Sequence, residues 1–381
     1  MYNKWEKSRA NNKKYEHTFQ TRRASMATLN FGNTVTLKQA AQLISAVPDN
    51  IFLLEGEPGI GKSSIMKMLR EMHGDKYNYV YFDCANKDLG DVVMPMPNRE
   101  TRETDYFPNA VFQMRSGKPM VIMLDEATKA PQPVWNMLHP MLEVHNPRLG
   151  DIPLPKGSIV FLTGNLSGDG VGDNIKAHSL GRITRVRVAK PVALEWLPWA
   201  AENDIDPVVM AWVDQYPHCM ESYTDDAQKD NPYIYNPRKP QVSYFSPRGG
   251  ERASNIIKAR HLFDTNSLIC ALAGTIGESA ARDMQAFIEF QDQLPKRAEI
   301  IKDPLHCRLP EGAGATAVMT YNMLTSIDKS CVDAYMDYAE RLAPEWQATL
   351  CISIAKTAAK QAIAFCNQKF AAWVAKNEDI L

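Results

Sequence analysis

With 381 residues, 45% of them hydrophobic, the chain is long enough for about two to three domains with packed cores, and a net charge of −1 excludes a protein that coats nucleic acid by bulk charge. It has no apolar run of the ~18 residues a membrane span requires, and its N-terminus is polar and charged, without the apolar region of a signal peptide. The sequence therefore predicts a soluble globular protein without membrane contact. Seven scattered cysteines (Cys84, Cys219, Cys270, Cys307, Cys331, Cys351 and Cys366) form no C-x-x-C pair and read as reduced, mostly buried thiols of a cytoplasmic protein. The histidines include no H-E-x-x-H, and His139 and His145 fall on different sides of a helix, so no histidine- or cysteine-based metal site is expected.

In chain order, the first 30 residues carry Lys4, Lys7, Arg9, Lys13, Lys14, Arg22 and Arg23 against Glu6 and Glu16, a balance of seven minus two, or +5. With little apolar periodicity, residues 1–33 read as a flexible basic arm, either a solvated tail or a contact for an anionic partner such as nucleic acid. Thr36-Leu-Lys-Gln39 is a capping-box pattern, and Leu37, Ala40, Ala41, Ile44 and Val47 then share one helical face.

The apolar run Ile51 to Leu54 predicts a strand, and Ser63 to His73 a helix closed by Gly74. Between them stands Gly56-Glu57-Pro58-Gly59-Ile60-Gly61-Lys62-Ser63, a full match to G-x-x-x-x-G-K-[ST]. Strand, glycine-rich loop and helix in that order form an anion nest, in which backbone N–H groups and the helix N-terminus surround the phosphates of a nucleoside triphosphate. In this reading residues 56 to 64, Ser64 included, bind the nucleotide. Lys62 neutralises the β and γ phosphates and the Ser63 hydroxyl ligates Mg2+.

Downstream, Tyr77 to Cys84 alternates like a strand, and Asn86 to Lys118 reads as an inserted hairpin with the polar tip Asn98 to Glu103. Val121 to Leu124 and Ser158 to Thr163 are continuous apolar runs of the kind a parallel strand buried on both faces needs, and Ile183 to Val188 completes a predicted five-stranded parallel sheet in a three-layer α/β core. Ligands of such sheets bind at the carboxyl ends of the strands. Asp125 is thus placed to hold Mg2+, directly or through water, Glu126 to polarise the attacking water as general base, and Asn165 to orient that water. Beyond Pro191 helical patterns take over.

Taken together, GEPGIGKS, VIMLDEATKA, FLTGN, Gly181-Arg182-Ile183 and Ser246-Pro247-Arg248 occur in an order that resembles the AAA+ ATPases, within them the MoxR-type branch related to dynein and midasin modules, over residues 34 to about 295. The resemblance implies a P-loop α/β domain (34–190) and a helical lid (191–300), assembled as a homo-hexameric ring with ATP between neighbours; residues 301–381, with Trp346, Leu350 and Ile354 at helical spacing, read as an additional C-terminal helical region. It implies that Asn165 is a sensor, Arg248 the lid arginine touching the γ-phosphate, and Arg182 a finger reaching the neighbour's nucleotide. Arg185 and Arg187 are competitors for the last role, since the family usually has Asp-Arg-Phe there, and Leu166 stands where it usually has proline. It further implies two hairpin inserts, fitted by Asn86 to Lys118 and Glu143 to Gly157. Met94, Met96, Tyr106 and Phe107 are candidate contacts for a protein client. The expected activity is ATP hydrolysis coupled to client remodelling. The alternatives are a nucleic-acid motor or loader and a nucleotide-gated scaffold with little turnover.

Overall fold

The computed structural model describes residues 34–143, 145–166, 181–239 and 241–377; the basic arm lies outside them. The α/β part begins with β1 (Thr34–Val35), α1 (Leu37–Ala46), β2 (Ile51–Glu55), α2 (Ser64–His73) and β3 (Asn78–Asp83). The short α3 (Leu89–Val92) leads into β4 (Val93–Asn98) and β5 (Glu103–Pro108), followed by β6 (Met120–Asp125) and α4 (Gln132–Leu138). Two-residue strands β7 (Arg148–Leu149) and β8 (Ile152–Pro153), then β9 (Ile159–Gly164) and β10 (Ile183–Val188), complete it.

The main sheet has the order β1-β10-β2-β9-β6-β3, and every pair in it is parallel. It therefore has six strands where five were expected. The sixth is β1, in which Thr34 and Val35 pair with Arg187 and Val188. Two residues carry no period of their own, so only pairing reveals such a strand. Side chains alternate between two cores: Leu53, Phe82, Ile122, Leu124 and Leu162 on one face, and Phe52, Leu54, Val121, Met123 and Phe161 on the other. Burial on both faces is why these strands read as unbroken apolar runs. Thr36 caps α1, its side chain accepting from Gln39 N–H while Gln39 returns the bond, and Gly74 ends α2 at φ 55°.

The helical part runs α5 (Ala193–Glu202), α6 (Pro207–Gln215), α7 (Pro247–Lys258), α8 (Thr265–Ile276), α9 (Glu278–Gln293), α10 (Arg297–Lys302), α11 (Ala313–Ser326), α12 (Val332–Ala339), α13 (Pro344–Lys356), α14 (Ala358–Ala364) and α15 (Gln368–Lys376). One apolar core extends through these helices from Ala193 to Trp373. At its centre α11 is buried nearly all round, from Ala315 to Leu324, and packs against α6. The division expected at 300/301 therefore does not divide the core. All seven cysteines are free, and Cys84, Cys219, Cys331 and Cys351 are buried. Among the described residues no helix is long and apolar enough to cross a membrane.

Candidate functional site

The loop between β2 and α2 is shaped by its glycines. A Cβ at Gly56 would lie 2.6 Å from Ile60 Cδ1 and 2.9 Å from the Val188 carbonyl oxygen, while Gly59 and Gly61 adopt φ +77° and +98°. Glu57 and Ile60 are buried and Pro58 half-buried. Lys62, only 9% exposed, donates from Nζ to the carbonyls of Gly56 (2.7 Å) and Glu57 (2.9 Å) and to Asn165 Oδ1 (3.2 Å). The loop lysine and the residue after β9, 103 positions apart, thus share one end of the sheet. Ser64 Oγ donates to Gly61 O at 2.7 Å. Ser63 is half-buried, and its side chain makes no capping bond to α2.

The carboxyl end of β6 supplies Asp125 and Glu126. Both Asp125 oxygens are occupied: Tyr81 Oη donates to Oδ2 at 2.7 Å, and the fully buried Thr163 donates from Oγ1 to Oδ1. Thr163 Oγ1 also accepts from Glu126 N–H at 3.1 Å, so a single hydroxyl fixes both acidic residues. Burial, the hydrogen bond to Asp125 and the charges of Asp125 and Asp83 push the Tyr81 phenol up, against a smaller opposing effect of Arg248. Glu126 sits in the left-handed region at φ 49° and ψ 37°, and its carboxylate is held by Lys129 Nζ at 2.8 Å. Hard oxygen donors from a serine hydroxyl and an aspartate, the latter with both oxygens already engaged, suit Mg2+ held largely through water. A bound Mg2+ would neutralise phosphate charge.

The helical part reaches this end of the sheet through α7. Ser246 caps that helix, its Oγ accepting from Gly249 N–H at 3.1 Å, and the N–H of Arg248 donates to Gly59 O at 3.2 Å. Close by, Lys190 donates to the carbonyls of Cys219 (3.2 Å) and Glu221 (2.9 Å). Burial pushes its ammonium down, with Glu57 the largest of the opposing influences.

Arg182 lies elsewhere. Ile183 pairs with Ile51, the first residue of β2, so Arg182 precedes the edge of the sheet opposite to the one the phosphate loop leaves from. Five residues of strand, roughly 17 Å, lie between. Its guanidinium pairs with Glu143 at 2.8 Å and contacts His139. Arg185 is engaged by Glu55 through Nε at 3.0 Å and Nη2 at 2.5 Å; Arg187, whose backbone pairs with Glu55, is exposed.

The expected hairpins take the form of β4/β5, with Met94, Met96, Tyr106 and Phe107 exposed, and the two-residue pair β7/β8. They dock on each other: Tyr106 N–H donates to the Asp151 carboxylate, and Asp151 N–H returns a bond to Tyr106 O at 3.2 Å. A groove of about 530 Å3, lined in part by Phe263, Leu268, Leu272 and Ile288, belongs to the helical part and includes no phosphate-loop residue.

Sequence reasoning missed Tyr81, Thr163 and Lys129. Their contacts depend on strand register and on one turn of 3-10 helix, for which the residue types carry no signal.

Residues 51–151 match the model of the AAA domain (dynein-related subfamily). The match spans β2, the phosphate loop, Asp125 and Glu126, and leaves Asn165, Arg182 and Arg248 outside it. No curated protein matches the sequence. A solved structure of a protein from Cytophaga hutchinsonii ATCC 33406, provisionally described as an ATPase, is similar at 14% identity, covering 74% of this chain and 96% of that one. Its TM-score is 0.32, too slight a likeness to inform function.

Proposed function

We propose that this chain, an AAA+ ATPase whose AAA domain is of the dynein-related subfamily, works as a subunit of a MoxR-type ring in which Mg-dependent ATP hydrolysis changes the conformation of a protein client. One observation carries the reading: the cationic groups divide between the two edges of the sheet. Lys62 bonds to its own phosphate loop and to Asn165, and the Arg248 backbone bonds to Gly59. Arg182 stands at the opposite edge, about one strand's length from its own phosphate loop, and pairs there with Glu143. An arginine so placed supports a finger supplied in trans, which stabilises charge in the transition state.

Within one site Lys62 binds ground-state phosphate charge, Asp125 and Ser63 would hold Mg2+, and Arg248 approaches from the helical part. Glu126 takes the proton of the attacking water, and Asn165 orients that water. The client contact is assigned to the β4/β5 hairpin, where Met94 and Phe107 face each other across the ladder with Met96 on the same face. A ring of six follows from the family resemblance.

Turnover and nucleotide binding of single and mixed variants test this. Lys62→Ala should lose ATP binding, and Glu126→Gln should retain ATP but lose most turnover. Arg182→Ala should bind ATP yet be inactive alone, and mixing it with Glu126→Gln should restore activity at interfaces where an intact arginine meets an intact glutamate. Mixtures that stay inactive would remove the trans arginine, and turnover surviving in both Lys62→Ala and Glu126→Gln would remove the site.

A further inference from the structure

Between α6 and α7 the chain runs from Pro217 to Ser246, and its described residues form only two short 3-10 segments, Pro217–Met220 and Asp226–Gln228. Side chains therefore set its course. Lys190, just beyond the end of β10, donates from Nζ to the carbonyls of Cys219 at 3.2 Å and Glu221 at 2.9 Å. Asn231 Nδ2 donates to His218 O at 2.8 Å, and its Oδ1 accepts from Tyr233 N–H at 3.0 Å. Tyr233 O in turn accepts from Phe245 N–H at 2.7 Å. Phe245 is fully buried, its ring 4.8 Å from that of Trp212, and the residue after it is Ser246, the cap of α7. Bonded contacts thus run from Lys190 to the start of the helix that carries Arg248. Both ends of this path lie against the phosphate loop. At one end the backbone before Lys190 touches the loop, since a Cβ on Gly56 would lie 2.9 Å from Val188 O. At the other, Arg248 N–H donates to Gly59 O at 3.2 Å. Its charge also reaches the catalytic acids: burial raises the Tyr81 phenol that bonds Asp125, and Arg248 opposes that rise. An ammonium shared by two carbonyls is a stronger tie than a neutral hydrogen bond.

We propose that Lys190 is a positioning residue for Arg248: by holding residues 219–221 against the end of β10 it fixes where α7 begins, and so places the Arg248 guanidinium for the γ-phosphate of ATP. This rests on the reading of Arg248 as the γ-phosphate contact. ADP lacks that phosphate, so the effect separates the two nucleotides. Losing a charge-assisted hydrogen bond sets its size at about three- to tenfold in affinity.

The test is equilibrium binding of a non-hydrolysable ATP analogue and of ADP, each with Mg2+, to the full chain carrying Lys190→Met, Arg248→Ala or both. Lys190→Met should weaken the analogue about three- to tenfold and leave ADP within about two-fold. In the Arg248→Ala background the loss from Lys190→Met should largely disappear, because it acts through that arginine. A purely structural role would weaken both nucleotides alike and would add to Arg248→Ala in full. Equal losses for analogue and ADP, no loss for the analogue, or an undiminished further loss in the double variant overturns the proposal. Should Lys190→Met not fold, Lys190→Gln is read in its place against the same outcomes. Failure of the underlying reading is recognised separately: Arg248→Ala alone would then bind the analogue as wild type does, and the proposal falls with it. Failure of the proposal alone leaves Arg248→Ala weakened for the analogue and Lys190→Met unaffected or unselective.

Discussion

Gly59 and Ser246 meet where the phosphate loop touches the helical part, and a Cβ on Gly59 would stand 2.8 Å from the Ser246 hydroxyl. That hydroxyl caps α7, and the first turn of the same helix donates Arg248 N–H to Gly59 O at 3.2 Å. The loop that cradles phosphate and the helix that carries Arg248 are therefore one contact. A shift in either is felt by the other.

Gly59→Ala follows from that contact. Its φ of +77° suits glycine, and the added methyl would displace Ser246 from its cap. The strain alone costs about 1–2 kcal/mol, to be read as a lower unfolding midpoint. ATP affinity should fall about tenfold or more in a nucleotide titration, because the loop N–H groups no longer converge. Wild-type affinity in this variant would show that the loop tolerates the shift and that α7 does not report on it.

Thr163→Val tests the hydroxyl that serves both acidic residues. The shape is kept, but Asp125 loses a donor and Glu126 N–H loses its acceptor. An unsatisfied buried group costs about 1–3 kcal/mol, visible in denaturant unfolding, and turnover should drop about tenfold or more as the left-handed Glu126 is released. Tyr81→Phe removes a bond at a side chain that is half exposed, so its stability cost should be smaller while its magnesium requirement rises. Equal stability losses in the two variants would contradict this ranking.

The α/β part was largely legible because its strands are buried on both faces and its loop has a fixed pattern. Ile51 to Glu55, Met120 to Asp125 and Ile159 to Gly164 are apolar runs that pair in parallel as their composition requires. Thr34–Val35 was not legible, since two residues gain strand character only from Arg187 and Val188 beside them. Asn165, Lys62 and Asp125 could be placed at one sheet edge from strand ends alone. Thr163 and Tyr81 could not, because their bonds cross between strands at a register no spacing encodes, and Lys129 could not, because its bond to Glu126 depends on a 3-10 turn. The helical part blurred for a related reason. Helix α11 is buried nearly all round and mixes small, polar and apolar residues, so its sequence lacks the amphipathic face that would have tied residues beyond 300 to the core of α6.

Asp206→Asn tests a buried cap. Asp206 caps α6 by accepting from Val208 N–H at 2.9 Å. Burial raises its carboxyl above the usual range, against smaller lowering by the Val208 N–H, Arg260 and Lys258. A carboxyl with a folded pKa above its unfolded value binds more protons in the folded state. Its contribution is therefore present below the unfolded pKa of 3.8 and is lost as pH rises through the raised value. Asparagine keeps the acceptor without the charge, and Arg260 and Lys258 have Asp292 and Asp204 as partners. The variant should be at least as stable as wild type at pH 7, with a flatter pH dependence just above pH 3.8, measured by urea unfolding. A clear loss of stability at pH 7 would mean the carboxylate charge is favourable where it sits.

The last prediction separates the tip of the first hairpin from its base. Asn98 shapes the tip, its Oδ1 accepting from Glu100 N–H (3.1 Å) and Thr101 N–H (3.3 Å), and Arg102 holds φ 59°. Replacing residues 99 to 102 with glycine and serine, glycine at the position of Arg102, keeps Asn98 and suits that backbone. Folding and basal ATPase should stay within about a few-fold of wild type, while engagement of a client trapped with Glu126→Gln and ATP should weaken. At the base, a Cβ on Gly150 would lie 2.3 Å from Tyr106 O, so Gly150→Ala should part the two hairpins. Faster hydrogen exchange at the Tyr106 and Asp151 amides would report this, with turnover per active site unchanged, because neither hairpin contributes a group to the phosphate loop. If the tip replacement leaves client engagement intact while Gly150→Ala abolishes it, the contact lies on the face of Met94, Met96 and Phe107 and not at the charged tip. If neither change affects engagement, the hairpins are structural and the contact surface belongs to the helical part.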